Sequence, residues 1–181
     1  MKIKGYAKIN LSLNILGVSG GFHQLESVVA QISLCDKITI RKSKSISVEY
    51  SNGFSINPER DNAYRACKLF QERFNTGGAT IKIKKSIPLK AGLGGSSADS
   101  VGVILGMQKL YNITDQKVVQ EVLILAGSDC PVQYAGGYNL MKGRGEVVEK
   151  IHSQKRLYGV ILTEPNGVNT AECFAWCDRQ A

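Results

Sequence analysis

Between residues 8 and 16 apolar and polar side chains alternate, with Ile9, Leu11, Leu13 and Ile15 interleaved with Asn10, Ser12 and Asn14. A period of two predicts a half-buried strand. Gly17, Gly20 and Gly21 mark a turn after it, and apolar stretches at 25–34, 37–42 and 45–50 predict further strands in an antiparallel meander. Past a loop of turn formers, Ala63, Ala66, Cys67, Phe70 and Phe74 recur at helical spacing until Gly77 and Gly78 stop the helix. A strand at 79–86 follows, and Pro88 ends it. From Ser96 to Tyr111 the apolar residues form two stripes, Val101, Ile104 and Leu105 against Val103, Met107 and Leu110. That pattern predicts a helix buried over much of its circumference. A helix at about 115–126, a hairpin through 136–151, a strand at 157–163 and a short helix after Thr170 complete the pattern. Strands and helices come in segregated blocks, which makes the fold class α+β rather than doubly wound α/β.

Composition changes this picture little. With 181 residues and 43% hydrophobic content the chain can bury a substantial core. No stretch approaches the roughly 20 apolar residues of a membrane helix. The opening MKIKGYAKINLS lacks the apolar centre and cleavage site of a secretory signal, so a cytoplasmic setting with no membrane partner is expected. The five cysteines are an odd number, form no CxxC pair and do not combine with His23 or His152 at zinc-ligand spacing, so reduced packing thiols are expected. A net charge of +8 suits either nucleic acid or a small polyphosphate. Lys82 and Lys84, however, alternate with Ile81 and Ile83 as on the wet face of a sheet, and no arginine-rich run or aromatic RNA-binding motif is present. No nucleic-acid partner is expected.

The candidate chemistry starts at IPLKAGLGGSSADS, residues 87–100, where strand, glycine turn and buried helix meet. A helix start leaves backbone N–H groups unpaired and carries partial positive charge. Gly92, Gly94 and Gly95 remove side chains that would hold a phosphate away, while Ser96 and Ser97 could cap the helix or bond phosphate oxygens and magnesium-bound water. No Gly-Lys-Ser/Thr closes the loop, so it is not a Walker loop; the bland alternative is a glycine turn with a serine N-cap. Asp129, in the turn GSDCP, is either an accessible proton acceptor or a turn-stabilising aspartate. Lys8, beside Asn10 at the entry to the first alternating run, is either solvated or the partner of such a carboxylate.

PLKAGLGGSSAD resembles the phosphate-binding motif of the GHMP kinases. YAKINLSLNILG at 6–17, GGFHQLESVVAQISLCDKITI at 20–40 and GSDCPVQYAGGYNLMKGRGEVVEKI at 127–151 are similar to successive blocks of one branch of that family. That branch comprises the ATP-dependent kinases acting on a cytidine diphosphate-linked methylerythritol in the non-mevalonate isoprenoid pathway. The resemblance runs in order over nearly the whole chain. It implies a GHMP N-terminal domain at 1–152 with the ribosomal-S5-domain-2-like fold, and at 153–181 the opening strand and helix of a ferredoxin-like second domain. Lys8 and Asp129 match the catalytic lysine and aspartate. Pro88, Lys90, Ala91, Gly92, Leu93, Gly94, Gly95, Ser96 and Ser97 match the loop around the ATP phosphates, with Mg2+, for which Ser97 is a candidate through bound water. Asn10, Phe22, His23, Thr170 and Phe174 fall on the substrate side, with Phe22 and Phe174 as rings that stack on cytosine. Asp61 and Asn62 both compete for the adenine-side position.

The sequence departs from the family where Ser96 replaces a third glycine, where Phe22 replaces the usual tyrosine, and where the chain stops at Ala181. Three readings follow: the kinase, with small molecules as partners and homodimerisation left open; a nucleotide-binding protein with impaired catalysis; and a basic RNA-binding module. A GHMP kinase of other substrate specificity competes with the first. A bacterial cytoplasm is the simplest setting, and a plastid stroma the alternative for a plant or algal source.

Overall fold

The computed structural model describes residues 1–51, 53, 55–164, 167 and 170–179. One strand organises the molecule. Strand β3, Phe22–Ser43, runs unbroken through both apolar stretches that the sequence pattern separates. Along one edge it pairs antiparallel with β2 (Asn14–Ser19) and then β1 (Lys2–Asn10); along the other it pairs with β6 (Tyr138–Gly143) and then β5 (Gly78–Lys84). Strand β4 (Ser47–Tyr50) adds to β5 and β7 (Val147–Ile151) to β6, giving seven strands. The expected meander is corrected here: its strands at 25–34 and 37–42 are one, and β4 pairs with β5, in parallel, rather than with β3. A hairpin would reverse the direction, whereas helix α1 (Asn62–Phe74) intervenes between these two strands and allows a parallel crossover.

The alternating run at 8–16 is interrupted. Residues 11–13 leave the ladder: Leu11 N–H donates to the Val28 carbonyl, and the Ser12 hydroxyl accepts from Val28 N–H at 3.1 Å. Leu11, Leu13 and Ile15 are exposed, so this stretch is not the half-buried strand its alternation predicts. The expected strand at 157–163 does not form either; residues 152–164 have no regular structure. No sheet edge pairs with that segment, and a strand needs a partner for its backbone. Its apolar side chains stand in the open, with Leu162 92% exposed.

Helices α1, α2 (Gly95–Tyr111) and α4 (Cys130–Ala135) pack on the sheet, and α3 (Gln116–Ala126) packs against those three helices. Asp61 caps α1, accepting from Ala63 N–H and Tyr64 N–H, and the helix buries Ala63, Ala66, Cys67 and Phe70. Asp115 caps α3 through Val118 N–H. The short α4, with Pro131 in its first turn, forms where the sequence pattern predicts only a turn. Between them α2 is buried from Ala98 through Ile104, as its two stripes predict. A fifth helix, α5 (Thr170–Asp178), follows the irregular segment.

Glycines set how closely α2 approaches the sheet. A Cβ on Gly102 would overlap Ile38 Cδ1, and one on Gly5 would lie 2.5 Å from the Ala98 backbone oxygen. The sheet therefore meets the helix backbone directly at Gly5, and the opposing atom belongs to main chain that cannot swing aside. Gly5→Ala should destabilise the fold by about 1–3 kcal/mol, as overpacking does. Gly159→Ala, facing open space, should stay within about 0.5 kcal/mol. Urea unfolding of the two variants checks this; equal stabilities would contradict the close approach.

Candidate active site

The N-terminus of α2 lies where β1 and the 85–94 loop converge. Gly92 and Gly94 hold left-handed backbone, with φ of 71° and 67°, and Gly94 is the N-cap. Because Gly94 has no side chain to offer, the first turn carries no side-chain cap. The serine N-cap of the bland alternative does not form: Ser96 and Ser97 sit inside the first turn, Ser96 exposed and Ser97 half-buried. Two contacts fix the loop. Lys8 N–H donates to the Leu93 carbonyl at 3.1 Å, and the buried Gln133 amide of α4 donates to both the Tyr6 and the Gly94 carbonyls. Gln133 thus ties β1 to the glycine turn, a role no local sequence pattern reveals. Pro88, Lys90 and Ala91 belong to the same loop, Lys90 also in the left-handed region at φ 54°. Gly167 packs on the Leu89–Lys90 backbone.

Beside this turn the structure brings Lys8, Asn10 and Asp129 together. Lys8 and Asn10 are two residues apart on β1 and so share a face. The Lys8 ammonium donates to Asn10 Oδ1 at 2.7 Å and pairs with Asp129 Oδ2 at 3.4 Å. Asn10 is held in turn, donating to Ser27 Oγ, which donates to the Ser12 carbonyl. Asp129 is the N-cap residue of α4 yet makes no cap hydrogen bond, so the turn-stabilising reading of its side chain fails. The lysine side chain is 10% exposed and the carboxylate 30%, a buried cation beside a reachable anion.

Under the helix start lies a second charged group that the sequence reading missed. Lys85 bridges Asp36 Oδ2 of β3, at 2.5 Å, and Asp99 Oδ2 of α2, at 2.6 Å. Asp36 is fully buried, and its other oxygen accepts from Ser86 N–H and Ile87 N–H where the chain leaves β5. Asp99 Oδ1 has no partner. Burial pushes the Asp99 carboxyl up to about 7 against the opposing pull of Lys85. Burial also works against the charge on Lys85, but the two carboxylates outweigh it and raise its pKa. A lysine and two aspartates far apart in sequence give no periodic signal, although Asp99 stands within the GGSSAD run.

The remaining candidates belong to other elements. Asp61 is used as a buried cap and also accepts from Tyr50 O–H at 3.0 Å; the Asn62 carbonyl accepts from Ser100 Oγ of α2. A cavity of about 420 Å3 opens beside Tyr50, Ser51 and Asp61. Phe22 and His23 sit at the β2–β3 hairpin, and the guanidinium of Arg144 lies 3.6 Å from the centre of the Phe22 ring. The side chains of Thr170 and Phe174, on α5, lie outside the described residues. Among the described residues no three metal-ligating side chains gather, the cysteines are free, and no helix is long and apolar enough to cross a membrane.

Comparison with known proteins identifies this domain. Residues 61–137 match the GHMP kinases N terminal domain. The chain is 36% identical to a 4-diphosphocytidyl-2-C-methyl-D-erythritol kinase of Clostridium beijerinckii over 98% of its own length and 65% of that protein. It is 37% identical to the Clostridium tetani enzyme of the same name, over 99% and 66%. This chain carries a GHMP kinase N-terminal domain. It spans about two thirds of the length of those curated relatives. A crystal structure of 4-(cytidine 5'-diphospho)-2C-methyl-D-erythritol kinase superposes with a TM-score of 0.67 at 29% identity, over 83% of this chain and 55% of that one. Methanococcus jannaschii mevalonate kinase shares the fold, with a TM-score of 0.65 at 19% identity over 85% of this chain and 56% of its own. The α+β architecture is thus that of a GHMP N-terminal domain.

The Asp99 environment makes a testable demand. A carboxyl whose folded pKa is raised contributes its stability fully below the unfolded value near 4, and that contribution is lost as pH rises through about 7. Asp99→Asn keeps an acceptor for Lys85 and removes the titration. Relative to the parent, this variant should gain on the order of 2 kcal/mol of stability between pH 5 and pH 8. Urea unfolding at the two pH values reads this, and parallel behaviour of both chains would refute it.

Proposed function

We propose that this chain forms the catalytic cleft of an ATP-dependent kinase that phosphorylates the 2-hydroxyl of 4-diphosphocytidyl-2-C-methyl-D-erythritol. One observation carries the reading: the Lys8–Asp129 pair stands next to an uncapped, glycine-lined helix start, to which Lys8 is bonded through its own N–H. An anion cradle beside a lysine–carboxylate pair is what transfer of a phosphoryl group to an alcohol needs. Asp129 takes the hydroxyl proton as that oxygen bonds to the γ-phosphorus; the bond from this phosphorus to the β–γ bridging oxygen breaks, and ADP leaves with the bond's electron pair. Lys8, aimed by Asn10, orients the hydroxyl and favours its ionisation. The first-turn N–H groups and the backbone of Gly92–Gly95 receive the ATP phosphates, with Pro88, Lys90 and Ala91 shaping the loop and Ser96 and Ser97 adding hydroxyls. Ser97 would meet a nucleotide-bound Mg2+ through water, and the ion would offset the charge of the phosphates.

On the adenine side Asn62 is the better candidate, because Asp61 already serves three donors as a cap. Phe22 stacks on cytosine and His23 bonds its edge, with Thr170 and Phe174 contributing from α5. Residues 1–152 form the N-terminal domain, and 153–181 lead into a second one; the exposed apolar side chains from Leu157 to Leu162 fit a segment that further structure covers.

Asp129→Asn should leave binding of an ATP analogue within a few fold while reducing phosphoryl transfer about 10²-fold or more. Calorimetric titration followed by an ADP-release assay separates the two, and equal loss of both would remove Asp129 from its role. Phe22→Ala should weaken cytidine binding and spare the ATP analogue; parallel loss would count against cytosine stacking. Binding of both ligands without turnover would favour the reading of a nucleotide-binding protein with impaired catalysis.

A further inference from the structure

The turn between β6 and β7, Gly143-Arg144-Gly145-Glu146, has no part in the function proposed above, yet it touches both ends of the cleft. On one side a Cβ on Gly145 would overlap the Ser128 carbonyl oxygen, so the turn's backbone rests against the residue preceding Asp129. On the other side the Arg144 guanidinium lies 3.6 Å from the centre of the Phe22 ring. Sheet pairing fixes this placement, since Gly143 lies opposite Leu25, three residues along β3 from Phe22. Both flanking glycines hold left-handed backbone, with φ of 70° and 113°. The Glu146 carboxylate accepts the Arg144 backbone N–H at 2.6 Å and is thereby engaged with the turn itself. The Arg144 side chain makes no ion pair among the described residues.

A guanidinium stacked flat on an aromatic ring uses its face for that contact and keeps its N–H edges available. If Phe22 offers its other face to a pyrimidine and Asp129 takes a proton from the far end of the substrate, what joins these two ends must pass the 143–146 turn. In a nucleoside diphosphate ester, that joining group is the diphosphate. We infer that Arg144 is a specificity-determining residue: it braces Phe22 from one side and directs its N–H edges to the diphosphate linking the base to the acceptor alcohol. This rests on the cytidine reading given above. It adds a contact that discriminates a nucleoside diphosphate from a free nucleoside, because paired guanidinium donors fit phosphate oxygens in a way that a single ammonium does not.

The test compares CDP, cytidine and a non-hydrolysable ATP analogue as probes, titrated into the 181-residue chain and into Arg144→Gln. Glutamine keeps a planar end and removes the charge. The expected result is a Kd for CDP raised about tenfold, a Kd for cytidine raised less than about threefold and an unchanged Kd for the ATP analogue. The salt dependence of CDP binding should also become shallower in the variant, and Arg144→Lys should recover part of the CDP affinity. Equal weakening of CDP and cytidine would overturn the diphosphate contact, as would tighter cytidine binding, which would mean that Arg144 occupies the place of the base. Weakening of all three ligands would reduce Arg144 to a structural part and overturn the inference as well. Failure of the unaltered chain to bind either cytidine compound would overturn the cytidine reading itself, and the Arg144 assignment with it.

Discussion

A helix sunk into the interior along most of its length carries its unpaired N-terminal N–H groups inward with it, and those groups need a partner. In this protein α2 is such a helix, and the surroundings of its first turn depend on that requirement. Neither serine next to the start turns back to cap it. The preceding loop is glycine-rich and left-handed instead, which leaves the donors facing the loop. The sheet comes close enough to frame them because Gly5 and Gly102 carry no side chains. Packing, not catalysis, dictates the close approach, and the anion-seeking geometry results from it.

Charge compensation beneath the turn follows the same logic. The Asp36–Lys85–Asp99 bridge joins the central strand, the exit of β5 and the second turn of α2, three pieces that must keep register if the loop is to hold its shape. Two carboxylates share one lysine in a buried place, which is costly unless one of them gives up its charge. Burial, with a smaller push from Asp36, raises the pKa of Asp99 and makes it the carboxyl that can. Lys8, by contrast, faces one carboxylate and one amide, and the carboxylate remains partly open. The two lysines thus differ in setting: Lys85 is enclosed between carboxylates within the frame, and Lys8 stands beside one that solvent reaches.

Much of this could be read in the sequence wherever the signal was local. The 96–111 helix and its burial followed from the two apolar stripes, and the cradle from glycines at a strand-to-helix junction. Lys8 and Asp129 were singled out, but the residues alone could not tell a solvated lysine or a turn aspartate from a pair; that needed β1 laid beside the α3–α4 turn. The two apolar stretches of β3 looked like two strands because Cys35 and Asp36 break the pattern, whereas the buried Asp36 is satisfied without leaving the ladder. Leu11 and Leu13 alternate as a buried strand would, yet face outward, since alternation does not reveal whether anything covers the apolar side. Gln133, Lys85 and Arg144 escaped notice because their partners lie far away in sequence.

The continuity of β3 also determines when the fold can exist during synthesis. Its first half pairs with β6, Leu25 opposite Gly143, so one of the earliest segments to leave the ribosome lacks a neighbour until one of the later ones appears. At about 5–20 residues per second that interval is on the order of ten seconds. Through this time the nascent strand exposes unpaired N–H and C=O groups on the edge β6 will occupy. Its other edge finds β1 and β2 much sooner, since both precede it in the chain. The order of the strands therefore allows β1, β2 and β3 to pair before β6 exists, and makes the edge awaiting β6 the place where a chaperone or a second nascent chain would compete.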